Sequence, residues 1–196
     1  MNCYEFKGGS GTASRLVRYG ETAFTTGVFV QANFGSRREL TLAGVPVGRL
    51  LAGDNPLGDW HIDGAGSVIA IVATDAPLLP HQCQALARRV TLGLARTGTT
   101  GSHFSGDLFL ACSTGNPGAI TSGAAAMQED LAGRLDQLRF IPWGAMDPFY
   151  ASVVQATEEA VANALVANED MTGRDGHRSP ALPRDRVAEL MRARGW

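Results

Sequence analysis

Gly64-Ala65-Gly66-Ser67-Val68-Ile69-Ala70-Ile71-Val72-Ala73-Thr74-Asp75-Ala76-Pro77 is the stretch on which the reading turns. From Ser67 to Thr74 the run is near-continuously apolar, the pattern of a strand covered on both faces. Asp75-Ala76-Pro77 stops it, and a glycine-rich loop precedes it, so Ser67 stands where loop becomes buried strand. A serine that is the first residue of a chain carries both a hydroxyl nucleophile and an α-amine. That amine has an unperturbed pKa of about 8, close enough to neutral pH to take the hydroxyl proton without a histidine. Gly66 has a matching use, because its missing side chain leaves the preceding carbonyl open to attack by the serine's own hydroxyl. Gly-Ser is also a common loop ending, and on spacing alone that plainer reading is the better one.

Working outward, a helix is expected over Leu79–Arg96, with Leu79, Cys83, Leu86, Val90 and Leu94 on one stripe. Arg96 and Gly98 signal its end. Asp107–Ser113 reads as another strand. Upstream, Thr25–Asn33 (TTGVFVQAN) is a strand rich in β-branched and aromatic residues. Leu40–Val47 holds a short strand around a Gly44–Pro46 turn, and residues 49–66 are loop. Lys7–Thr12 superficially resembles a phosphate cradle but lacks the lysine-serine pair that would follow, and a tight turn is the better reading. Downstream, residues 116–128 are loop and Leu138–Ile141 forms a last strand. Asp147–Asn168 is a long helix with Val154, Val161, Ala164 and Leu165 inward. Met171–Pro183 is loop, and Arg184–Arg194 is a terminal helix with Pro183 near its first turn. Strands and helices do not alternate regularly enough for a doubly wound sheet, so a layered sandwich of sheets and helices in one domain over residues 1–196 is expected.

Composition narrows the function. The 196 residues are 44% hydrophobic, enough for one substantial core, and the net charge of −2 with no basic block argues against nucleic acid. Of 17 basic residues only Lys7 is a lysine, a bias that genomic base composition explains. Cys3, Cys83 and Cys112 form no C-x-x-C pair and have no histidine at ligand spacing; Cys83 and Cys112 sit in apolar patterns as buried thiols. No basic-then-apolar leader opens the chain and no apolar run is long enough to span a membrane, so a soluble, cytoplasmic protein with no membrane partner is expected.

Searches for a G-x-S-x-G elbow, H-E-x-x-H, a Walker loop and G-x-G-x-x-G find nothing. Two further constellations stand beside Ser67. Ser105 and Asp107 are two apart at a strand entry, so both side chains project from one face and could hold and orient a protonated amine; a turn in which they cap backbone groups is the plainer reading. Asn33 ends its strand, where an amide donor can stabilise an oxyanion or simply serve a turn.

Taken in order, Phe6–Arg15 (FKGGSGTASR), Gly27–Gly35 (GVFVQANFG), Gly66–Gln82 (GSVIAIVATDAPLLPHQ), Ser105-Gly106-Asp107, Gln155–Ala160 and Met171–His177 resemble the DmpA/BapA-type serine aminopeptidases along nearly the whole chain. The resemblance implies an α/β/β/α sandwich of the DmpA/ornithine acetyltransferase type. It implies a precursor that cleaves itself between Gly66 and Ser67, leaving residues 1–66 as the end of an α-chain-like part and 67–196 as a β-chain-like part. By position, Ser67 takes the nucleophile role with its freed amine as general base, Asn33 the oxyanion role, and Ser105 and Asp107 the hydroxyl and acid beside the nucleophile. It also implies hydrolysis of N-terminal residues from peptides, amides or esters, no metal or organic cofactor, and a homo-oligomer of processed units. Family precursors carry a long segment before the Lys7-Gly8-Gly9 region, and this sequence lacks it, which leaves an inactive truncated remnant as an alternative. An acyltransferase of the ornithine acetyltransferase type is another, although that family uses threonine where this chain has Ser67.

Overall fold

The computed structural model describes residues 1–53, 66–119, 133 and 135–196. Two short strands, β1 (Asn2–Cys3) and β2 (Phe6–Lys7), close a hairpin through Tyr4 and Glu5. The chain continues as β3 (Gly9–Tyr19), turns at Gly20 and returns as β4 (Thr22–Asn33), paired antiparallel from Gly9↔Ala32 to Tyr19↔Thr22. The tight turn expected at Lys7–Thr12 is therefore strand for most of its length.

After β4 come a 3-10 turn at Arg37–Glu39, one bridge between Leu42 and Val45, and the short helix α1 (Val47–Leu50). The strand expected over Leu40–Val47 does not grow beyond that bridge. Ala43 and Gly44 both take positive φ, 47° and 82°, in the turn itself, and Pro46 has no N–H with which to extend a ladder. Of the loop expected at residues 49–66, the stretch 54–65 lies outside the described residues.

β5 (Ser67–Thr74) pairs antiparallel with β4, and the register ends on Asn33↔Ser67. α2 (Pro80–Arg96) crosses back to β6 (Leu108–Ser113), which runs parallel to β5, giving a sheet in the order β3-β4-β5-β6. α3 (Asp147–Val166) follows, then a small hairpin of β7 (Met171–Thr172) and β8 (Arg178–Ser179) inside the expected loop, and α4 (Arg184–Arg192). Both long helices lie on one face of the sheet: α3 against β3, β4 and α2, and α2 against β6 and β5. The core they enclose contains Val28, Val30, Val68, Ala70, Leu86, Val90 and Phe149, all at most 2% exposed. The inward stripe of α3 passes through Val153, Ala156, Ala160 and Ala164, so Val154, expected inward, is half-buried. Close approach sets the composition of β3: a Cβ on Gly11 would stand 2.0 Å from the Ala160 carbonyl oxygen, so that position admits no side chain.

The segment expected as a strand at Leu138–Ile141 is not one. Asn116 satisfies both backbone groups of Arg139, donating from Nδ2 to its carbonyl and accepting its N–H, each at 2.9 Å. The Ile141 N–H reaches Pro77 O at 3.1 Å, while the Ile141 carbonyl accepts from Gln82 Nε2 at 2.6 Å. Two side chains distant in sequence, Asn116 and Gln82, and the Pro77 carbonyl thus consume the hydrogen bonds that a ladder would need.

The other face of the sheet departs most from expectation. Register aligns Phe29, Ile71 and Leu110 in one row, and Ile69, Ile71, Leu108 and Leu110 are 42%, 37%, 66% and 60% exposed. β5 is covered on one face only among the described residues, and Cys112, expected buried, is exposed on that open face. Cys83 is buried as expected. No helix among the described residues is long and apolar enough to cross a membrane.

Candidate active site

The antiparallel pairing of β4 and β5 ends by placing Asn33 directly opposite Ser67. This one register brings together two residues 34 positions apart and puts both at the mouth of the sheet. The junction demands glycine before the serine. Gly66 has a φ of 143°, and a Cβ there would stand 2.0 Å from the Asn33 carbonyl oxygen and 3.3 Å from Asn33 Nδ2. Both backbone angle and space therefore exclude a side chain. The same geometry places the Asn33 amide nitrogen beside the Gly66–Ser67 peptide. Its partner atom, Asn33 Oδ1, accepts the Asn2 N–H at 2.9 Å, which fixes which end of the amide is the donor facing that peptide.

The turn entering β6 supplies the other side. The Gly106 N–H donates to Ser67 Oγ at 2.8 Å. A donor on the hydroxyl oxygen stabilises negative charge developing there and leaves the hydroxyl proton free to depart. Ser105 Oγ donates to Asp107 Oδ1 at 2.5 Å, and the same carboxylate oxygen accepts the Val68 N–H at 2.9 Å. Ser105 and Asp107 precede β6, held by a turn in which the Ser105 N–H reaches Ser102 O at 2.9 Å. Their common orientation therefore comes from this turn, rather than from the strand pleat that the spacing suggested. The carboxylate grips the backbone one residue beyond Ser67. All four residues singled out from sequence, Asn33, Ser67, Ser105 and Asp107, meet at this corner.

Two participants carry no sequence signal of their own. Gly106 and Asn2 act through backbone N–H groups, which every residue but proline possesses. Only the Gly106 position, inside Ser105-Gly106-Asp107, hinted at one of them. A cleft of about 670 Å3 opens from the site between the end of β4, the second half of α2 and the Gly98–Ser102 loop. Gly66, Ser105 and Asp107 lie at its edge, and Leu92, Leu94 and Ala95 form an apolar wall. Its volume is within the range of small-ligand sites. Among the described residues no three His, Cys, Asp or Glu side chains are grouped as a metal would require.

The family model for peptidase family S58 matches residues 1–179. The chain is 40% identical over 203 aligned positions to a beta-peptidyl aminopeptidase BapA of Sphingosinicella xenopeptidilytica, covering 99% of this chain and 48% of that one. Among solved structures, the L-aminopeptidase D-Ala-esterase/amidase of Ochrobactrum anthropi, described as a prototype serine aminopeptidase and a variant of the Ntn hydrolase fold, superposes with a TM-score of 0.85 at 40% identity. It covers 100% of this chain and 50% of that one. The PH0078 protein of Pyrococcus horikoshii superposes with a TM-score of 0.86 at 39% identity, again over 100% and 50%. The chain thus spans about half the length of the relatives it matches. With the layered fold, the Gly66–Ser67 junction and the match over residues 1–179 in agreement, the chain belongs to peptidase family S58.

Proposed function

We propose that this chain is the catalytic portion of a self-processing serine aminopeptidase. The observation that carries the reading is the Gly66–Ser67 peptide itself, flanked by the Asn33 amide and by a Ser67 hydroxyl that accepts the Gly106 N–H. In processing, Ser67 Oγ attacks the Gly66 carbonyl carbon, and Asn33 Nδ2 donates to the oxygen that gains charge. The C–N bond breaks, the hydroxyl proton ends on the departing Ser67 nitrogen, and an ester joins Gly66 to Ser67 Oγ. Water hydrolyses the ester, leaving a Gly66 carboxylate, a free hydroxyl and a free Ser67 amine. In turnover that amine takes the hydroxyl proton as Oγ attacks the substrate carbonyl. The substrate's leaving amine departs protonated, and water releases the acyl group. Ser105 and Asp107 hold the strand entry and orient the freed amine.

The substrates fitting this chemistry are peptides, amides or esters with a free N-terminal residue. The half of the relatives' length that this chain does not span is the proposed cover of the open face at Ile69, Ile71, Leu108 and Leu110, giving the second sheet of the sandwich. The working protein is then an oligomer of processed α/β units, and three free thiols suit a reducing compartment such as the cytoplasm.

The test is hydrolysis of aminoacyl p-nitroanilides by the full-length protein, with L-, D- and β-amino acids in the acyl position. The proposal expects nitroaniline release that Ser67→Ala abolishes and that needs no added amine acceptor. Release only in the presence of an amine acceptor would identify an acyltransferase, and no release with any acyl group an inactive remnant.

A further inference from the structure

We propose that the hairpin at the start of the chain is a positioning element for the oxyanion amide: the Asn2 backbone N–H grips Asn33 Oδ1 and so presents Asn33 Nδ2 to the Gly66–Ser67 carbonyl. The inference rests on the reading of Asn33 as the oxyanion donor. An asparagine amide can rotate, and only a group that distinguishes its oxygen from its nitrogen keeps the donor aimed at the site. Asn2 N–H does that at 2.9 Å.

The hairpin is built more firmly than two residues per strand require. Tyr4 and Glu5 form its turn with positive φ, 51° and 60°, although neither is glycine. Such a conformation costs on its own and persists only where the surroundings hold it. Contacts to Phe34, Thr97 and Arg37 hold it here. The Tyr4 N–H reaches Phe34 O at 2.8 Å, one residue past Asn33. The Tyr4 hydroxyl lies 2.6 Å from Thr97 Oγ1, which itself donates to Leu94 O at 2.7 Å, tying the turn to the end of α2. Thr97 Oγ1 has spent its proton on Leu94 O, so the Tyr4 hydroxyl is the donor between them, and burial, which raises the phenol well above its ordinary value, keeps it protonated. Arg37 Nη2 donates to Glu5 O at 2.6 Å, and its guanidinium sits 3.5 Å from the Phe6 ring centroid. The Asn2 side chain shares none of this work: its Oδ1 is buried with no hydrogen-bond partner among the described residues. The main chain of Asn2, not its side chain, is what the site uses.

The experiment is a nested set of variants in the full-length protein, read by the rate of self-cleavage and by kcat and KM on an aminoacyl p-nitroanilide. Asn2→Ala keeps the N–H and should stay within about twofold of the parent. Asn2→Pro deletes the N–H and should lower cleavage rate and kcat by about 10- to 100-fold, the scale of a misplaced catalytic group, with KM little changed. In an Asn33→Ala background the same Asn2→Pro change should alter the rate less than about twofold, because the group it positions is gone. Tyr4→Phe, which keeps the ring and loses the Thr97 contact, should show the same dependence on Asn33 and decides the matter if the proline variant does not fold. Losses that multiply in the Asn33→Ala background, or an Asn2→Pro variant as active as the parent, would overturn the positioning role. An Asn33→Ala single variant with parental activity would instead remove the oxyanion assignment, and the inference with it.

Discussion

Gly66→Ala tests the junction at its most constrained atom. The alanine methyl would stand 2.0 Å from the Asn33 carbonyl oxygen, against a backbone atom that cannot swing away, and it would require φ of 143° in a residue with a Cβ. Holding a non-glycine residue in such a conformation costs about 1–3 kcal/mol, and forcing a methyl into filled space costs a similar amount. The lower ends sum to about 2 kcal/mol, which for a chain of this size lowers Tm by about 4–8 °C. The backbone can escape only by moving Gly66 away from Asn33, and that motion carries the scissile carbonyl away from the amide beside it. The variant should therefore melt lower and cleave itself at least about tenfold more slowly, the loss expected when reacting groups are misplaced by a fraction of an ångström to an ångström. Calorimetry gives the first number, and intact mass against time gives the second. An alanine variant that melts with the parent and processes at the parental rate would refute the claim that this junction demands glycine.

Asn33→Ala should cost about 100- to 1000-fold in turnover with little change in KM, measured by steady-state kinetics on the processed enzyme. Asp107→Asn should lower the maximal rate and move the acidic limb of the pH–rate profile to lower pH. A nearby carboxylate favours the protonated Ser67 amine, and its loss lets the amine shed its proton at lower pH. Asp170 accepts the Ala181 N–H and pairs with Arg178, and these hold its carboxyl below its ordinary value. The stabilisation is therefore present above the unfolded carboxyl value and fades as pH falls through the lower folded one. Protection of the Ala181 amide against hydrogen exchange, taken relative to its intrinsic rate at each pH, should fall as pH drops below about 4, and Asp170→Asn should remove that dependence.

The elements that sequence located well are those whose side chains declare their burial. The β-branched run of Ser67–Thr74 and the spaced apolar stripe of Leu79–Arg96 appear within a residue of their expected bounds. β3 was illegible because its glycines look like turn residues, and only the close approach of Ala160 explains why Gly11 is there. Leu138–Ile141 has strand composition, yet the Asn116 and Gln82 side chains take its hydrogen bonds, a tertiary choice that propensity does not encode. The continuous apolar run of β5 matches a strand buried twice, although one of its faces is open among the described residues; Ile69 and Ile71 there are what a second layer would cover. Within the site, Ser67, Asn33, Ser105 and Asp107 could be singled out as polar side chains at strand ends, and resemblance then suggested a role for each. Gly106 and Asn2 could not, since their contributions are peptide N–H groups aimed by pairing between distant segments.

The central claim is that Ser67 cuts the bond before it. The most direct measurement is intact mass of the purified full-length protein over time, followed by N-terminal sequencing of any new fragment. The account predicts two fragments that remain associated, the second beginning Ser67-Val68-Ile69-Ala70, and no cleavage in Ser67→Ala. A protein that stays uncut throughout, or one cut elsewhere or cut equally in Ser67→Ala, would contradict it.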